Sequence, residues 1–282
     1  MPWYFFVSLA VASFSVITIM QRLILKESNS RPLAFAIFTQ FLTGIIITII
    51  GFATTEMRFP ENVPLWNLLL VPVTYGVGMI FSYSGLKLLE ASKFVLVFSM
   101  RIVFSIIGAS FFLHETLDFL QLFGVALVLF GVILVNLQHE SAKNRKGELF
   151  TLIASFFFGV GMVNDRFLLA SFDVYPYVSF GFFAPALLIA IIQPKEIMQI
   201  KTFLQKRLLI KSLLVCVLFT IGAIGFNTAL KTGPGTPQVL VANTTNIIFT
   251  VILSMIVLKE RSHLLKKLIA TALTFIGLLF VL

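Results

Sequence analysis

The chain writes the same pattern of membrane-length apolar runs twice. Gln21-Arg22-Leu23-Ile24-Leu25 closes one run and Asp165-Arg166-Phe167-Leu168-Leu169 closes another, 144 residues further on. Pro32 and Pro176 each open the next run, and Lys87 and Lys231 each end one at the same offset. Arg101 precedes Glu115 by the same fourteen residues that separate Asn246 from Glu260. A repeat of half the chain, built of apolar segments, restricts the fold to a helical membrane protein of two matched halves.

A hydrocarbon core needs about 20 apolar residues per crossing helix. Ten such runs are expected, at 3–24, 33–53, 65–86, 94–113, 119–138, 149–170, 174–193, 209–230, 237–258 and 264–282. The expected fold is an all-α integral membrane protein. Its ten helices form two five-helix repeats, 1–138 and 149–282, joined by a linker at 139–148. Five helices reverse direction, so the halves insert upside down relative to each other. A short interfacial helix is expected within 194–208, and the first run reads as a retained span rather than a cleaved leader.

Composition agrees: 59% of the 282 residues are hydrophobic and 12% charged, with mean hydropathy +1.02. Soluble chains carry about 25% charge. The net charge of +9 is scattered in short clusters between apolar runs, which fits topology and lipid headgroups and excludes a nucleic-acid partner. Lys and Arg crowd the odd-numbered connections (Lys143, Arg145, Lys146, Lys195, Lys201 and Arg207 among them). By the positive-inside rule those connections are cytoplasmic and both termini lie outside. Cys216 is the single cysteine, so no intrachain disulfide can form, and no spacing calls for a metal or cofactor.

Ionisable or strongly polar groups inside a span are candidates for function, because each costs several kcal/mol unless paired or wetted. Arg101 lies about 10 Å into the fourth run, and its repeat partner Asn246 falls within ~6 Å of the same depth. Together they could grip a carboxylate or phosphate. Asn243 shares a helix face with Asn246 and could bond a substrate amine or carboxylate; interhelical glue is the alternative. Asn164-Asp165-Arg166 sits in the last third of the sixth run. Asp165 could bind an amine or carry a proton, or pair with Arg166 or Arg22. Tyr75 and Tyr83 could line a path, with Gln40 and Asn227 as weaker candidates. Pro72 and Pro185 predict kinks. Glu115 and Glu260 read as helix-capping groups, and His114, His139 and His263 fall in loops.

The stretch Tyr83-Ser84-Gly85-Leu86-Lys87-Leu88-Leu89-Glu90-Ala91-Ser92 is followed by Leu113-His114-Glu115-Thr116-Leu117 and then by Gln121-Leu122-Phe123-Gly124. The second half echoes it with Asn227-Thr228-Ala229-Leu230-Lys231, Leu258-Lys259-Glu260-Arg261 and Ile276-Gly277. Across the whole chain this resembles the EamA-like ten-span transporters of the drug/metabolite transporter superfamily. The resemblance implies a secondary transporter of the cell membrane working by alternating access. It also implies a cavity surrounded by spans one, three, four, six, eight and nine, on which Arg101, Asn246, Asp165 and Tyr75 fall. Members usually carry a proline in span four, where Ser99-Met100-Arg101 stands here, and usually keep both termini cytoplasmic. The superfamily's small multidrug branch uses a first-span carboxylate, which this chain lacks.

Export of a small polar metabolite, an amino acid or carboxylate, is the expected function. Sugar-phosphate or nucleotide-sugar exchange and multidrug export are the alternatives. Membrane lipid and the small-molecule substrate are the expected partners; proton or ion coupling, and monomer against homodimer, stay open. An intramembrane enzyme is not expected, since it needs paired aspartates, a Ser/His pair or zinc ligands, and only Asp165 lies deep. A receptor has no need of an inverted duplication.

Overall fold

The computed structural model describes residues 2–27, 30–61, 63–113, 118–136, 142–233, 239, 242–260 and 262–280, and their regular structure is helical, with no strand among them. The helices are α1 (Trp3–Leu25), α2 (Pro32–Thr54), α3 (Leu65–Leu88), α4 (Ala91–Phe98), α5 (Met100–Leu113) and α6 (Phe119–Asn136). There follow α7 (Ala142–Leu169), α8 (Val174–Ile192), α9 (Pro194–Ile197), a 3₁₀ turn at Met198–Leu204, α10 (Lys206–Thr232), α11 (Asn246–Val257) and α12 (Leu264–Phe280). Seven stretches are long and apolar enough to cross a membrane: α1, α2, α3, 91–108, 144–169, α8 and α10. Two shorter apolar helices, at 119–134 and 242–257, accompany them.

The helices expose their apolar side chains outward, as a lipid solvent requires: Trp66 is 79% and Phe119 81% exposed. Buried positions are instead rich in hydroxyls and small residues, including Ser13, Ser15, Thr39, Thr43, Ser155 and Ser254. Many of these hydroxyls donate to the carbonyl one turn back, as Ser15 Oγ does to Val11 at 2.7 Å. That satisfies a polar group where no water is available.

Two differences from the sequence expectation have clear causes. The junction 139–148 becomes helical at Ala142, so α7 is longer than expected; 137–141, with His139, lies outside the described residues, as do His114 and Glu115. The run expected at 94–113 starts at Ala91 and breaks at Ser99 into α4 and α5. There Ser99 Oγ donates to the Leu96 carbonyl at 2.6 Å, three residues back. Thr245, just before α11, does the same to Ala242 at 2.7 Å. This back-bonding competes with the helical ladder and bends the chain without a proline. Arg101 and Asn246 each follow one of the two breaks. α3 and α8 run through Pro72 and Pro185 as single helices. The segment after Gln193 forms the short α9 and the 3₁₀ turn, beside Phe203, which packs on Phe35 with ring centroids 5.1 Å apart.

Packing between the halves comes in matched pairs. α3 packs on α7 as α1 packs on α10; α5 on α7 as α1 on α11; α3 on α8 as α2 on α10. α2 with α8 and α6 with α12 are pairings that map onto themselves. Glycines permit the closest approaches. A Cβ on Gly159 of α7 would meet the Arg101 carbonyl oxygen and Phe104 Cβ, both at 2.6 Å. Gly159→Ala is expected to lower stability by about 1–3 kcal/mol through this overpacking, read as a lower unfolding midpoint in detergent. An unchanged midpoint would show that α5 can move aside freely.

Candidate functional site

A cavity of about 290 Å³ lies among α1, α2, α3, α4, α5, α7, α8, α10 and α11. Most of its wall is aromatic or aliphatic, from Phe14, Phe94, Phe98, Phe158, Phe182 and Phe226. Polar side chains interrupt that wall. Arg101, Asp165, Tyr75, Asn243 and Asn246 all line it, together with Tyr83, Gln40 and Asn227.

Arg101 reaches the cavity because the break at Ser99 turns α5 just before it. Its guanidinium carbon sits 4.5 Å over the centre of the Phe98 ring, and among the described residues it makes no hydrogen bond or ion pair. The ring face attracts the cation without supplying a counter-charge, so the charge stays available to a ligand. Asn243, 7% exposed, turns Oδ1 toward no donor among the described residues. A buried carbonyl left unbonded costs about 1–3 kcal/mol, which a ligand donor would recover. Asn246 follows the second break, and its backbone carbonyl accepts from Ser15 Oγ of α1 at 3.2 Å.

Asp165 differs from the simplest expectation for it. It does not pair with Arg22, and the side chain of Arg166 lies outside the described residues. Its two carboxylate oxygens accept one hydrogen bond each, from the hydroxyls of Tyr75 and Tyr177. Asn164 turns away from the cavity to Asn67, donating to its carbonyl at 2.8 Å and accepting from its Nδ2 at 2.7 Å. Tyr177 is the residue sequence reading passed over. It follows Pro176 in the first turns of α8, where a tyrosine looks like part of an interfacial belt; its only signal was position twelve residues after Asp165, across one tight connection.

Below the cavity, on the side of the odd-numbered connections, Gln21 Nε2 donates to the Tyr83 hydroxyl at 3.0 Å, and that hydroxyl shares a 3.2 Å bond with Thr39. Beyond it lies an ionic cluster that joins the halves. Arg22 donates to the Leu86 and Lys87 carbonyls at 2.9 and 2.6 Å and approaches Glu260 at 3.7 Å. Glu260 in turn accepts from the Ser92 backbone N–H at 3.3 Å and hydroxyl at 3.4 Å, so it caps α4 rather than its own helix. Burial pushes the Glu260 carboxyl above the usual range despite these donors. Glu90 accepts from Lys267 and from Ser262; burial alone would raise its carboxyl, but these donors outweigh it and hold it below the usual value.

No curated protein matches the chain. A solved crystal structure, titled only as that of a protein, superposes with a TM-score of 0.63 over 97% of this chain and 96% of that one, at 16% identity. At that identity the likeness is one of fold alone. A sequence model of the EamA-like transporter family matches residues 1–137 and again 145–282, one copy in each half. Two copies of this family's unit, end to end over a chain of apolar helices, make it a multi-pass membrane transporter, and the chain belongs to the EamA-like transporter family.

Proposed function

We propose that this transporter is a secondary carrier of ten spans in two inverted repeats, exporting a small zwitterionic metabolite of the amino-acid class across the cell membrane by alternating access. One observation carries the reading: two residues that line one small cavity, Arg101 and Asn243, keep a guanidinium and a buried amide oxygen unpaired among the described residues. The first is a donor for a carboxylate and the second an acceptor for an ammonium group. The aromatic wall suits an apolar side chain. The volume is at the small end of ligand pockets, about 300–1,000 Å³.

The correspondence of the main helix pairings between the halves supports the alternating-access part. The Lys and Arg excess puts the odd connections, and with them the Arg22–Glu260 cluster, in the cytoplasm. A phosphorylated sugar would call for more than one deep cation, and a lipophilic cation for a free carboxylate, whereas Asp165 is already occupied by two phenols.

Purified protein heated with amino acids, dicarboxylates, sugar phosphates or lipophilic cations tests the proposal. Amino acids at a hundred times their dissociation constant should stabilise by about 2.7 kcal/mol, and Asn243→Leu should lose most of that shift. Stabilisation by lipophilic cations alone would overturn the zwitterion.

A further inference from the structure

We infer that Asp165, with Tyr75 and Tyr177, is a proton-binding site that couples transport to a proton gradient; the coupling rests on the carrier reading above, the proton site does not. Asp165 and Gln21 occupy equivalent positions, 144 residues apart, and each is bonded to tyrosine beside the cavity. Gln21 shows that a neutral side chain satisfies this place in the architecture. The second half puts a carboxylate there instead, inside a span, where ionisation is costly and a neutral residue would serve the fold. What the carboxylate adds is the capacity to change charge.

The surroundings suit that use. α3, α4, α5 and α8 pack on α7. From α3 the facing titratable group is Tyr75, from α5 Arg101, and from α8 Tyr177; α4 contributes Lys93, but at the far end of α7, where it pairs with Glu148. On α7 itself Asn164 is engaged with Asn67, and the Arg166 side chain lies outside the described residues. Asp165 therefore has no cation within ion-pair distance among the described residues, and its ionised form rests on two neutral phenol donors. Arg101 lines the same cavity without touching it.

The step is a simple protonation. A proton from water at one face adds to a carboxylate oxygen of Asp165, giving a neutral carboxylic acid, and leaves to water at the other face; no other bond is made or broken. The ionised group accepts from both phenols. The protonated group has an O–H to donate, so one tyrosine must turn its own hydrogen away, and the three-way tie between α3, α7 and α8 loosens. Both tyrosines line the cavity that also holds Arg101, so proton load and substrate grip meet in one space.

Two measurements on the full chain in lipid decide it. Infrared difference spectra on acidification should show a protonated-carboxyl carbonyl band that is lost in Asp165→Asn and shifted in Tyr177→Phe. Spectra identical in wild type and Asp165→Asn would overturn the site. In proteoliposomes, with a mixture of tritiated neutral L-amino acids as probe, an imposed pH gradient should speed wild-type flux several-fold. Asp165→Asn should lose that response, and Asp165→Glu, which keeps a carboxylate, should retain part of it. A variant that still responds to the gradient as wild type overturns the coupling. A wild type that moves none of these amino acids, with the band present, overturns the substrate reading and supports the proton site.

Discussion

Arg101→Ala is expected to abolish transport while leaving expression and unfolding midpoint near those of the wild type. The guanidinium bonds to nothing else among the described residues, so its removal breaks no ion pair and orphans no acceptor there. Only its attraction to the Phe98 ring goes, worth about 0.5–2 kcal/mol. Among the described residues no anion pairs with its charge, which lies within an apolar run, so a neutral residue relieves a cost. The ligand, by contrast, loses the cation that lines its cavity. A charge-assisted bond to a carboxylate is worth about 1.5–3 kcal/mol, and more where water is excluded, so affinity should fall at least ten- to a hundred-fold. Arg101→Lys keeps the charge but not the planar fork, and should retain weak binding. Counterflow in proteoliposomes reads both variants. Wild-type flux in Arg101→Ala would remove Arg101 from the binding site.

Glu260→Ala should show the opposite profile, a loss of stability felt directly. Glu260 is 9% exposed and Arg22 11%. Removing one partner of a buried pair costs about 3–5 kcal/mol, because the other charge is stranded. The lower part of that range is expected, since Arg22 keeps its bonds to the Leu86 and Lys87 carbonyls. The alanine also uncaps α4 at Ser92. Glu260→Gln retains an acceptor for Ser92 and should recover part of the loss. Reversible unfolding in mixed detergent measures both, and a Glu260→Ala protein as stable as the wild type would show that the cluster does not hold the halves together.

The features that were legible in the sequence are those that repeat or that defy their surroundings. Twenty-residue apolar runs announce helices because a bilayer leaves no other solution for backbone polar groups. Arg101 and Asp165 stand out as charges within such runs, and both line the cavity. What was illegible is the pairing. Whether Asp165 meets an arginine or two tyrosines depends on how α3 and α8 dock on α7, and nothing in local sequence encodes that. Asn164 and Asp165 are neighbours in the chain, yet their side chains leave the helix about 100° apart, so one faces Asn67 and the other the cavity. The breaks at Ser99 and Thr245 escaped for a related reason. A serine inside a span is usually a satisfied hydroxyl, and Ser254 makes the same three-residue back-bond within an unbroken α11, so the residue type does not mark the bend.

The matched pairings between halves carry an energetic consequence. In the proposed cycle, each helix interface that opens on one face is replaced by its counterpart closing on the other, so the two end states are sums of nearly the same terms. Their difference is then set by the places where the halves disagree. Gln21 against Asp165 is such a place, and so is Arg101 against Asn246. A single proton or a single bound carboxylate acts on those few mismatches, so 1–2 kcal/mol of differential binding, about ten-fold in population, is enough to choose which way the carrier faces.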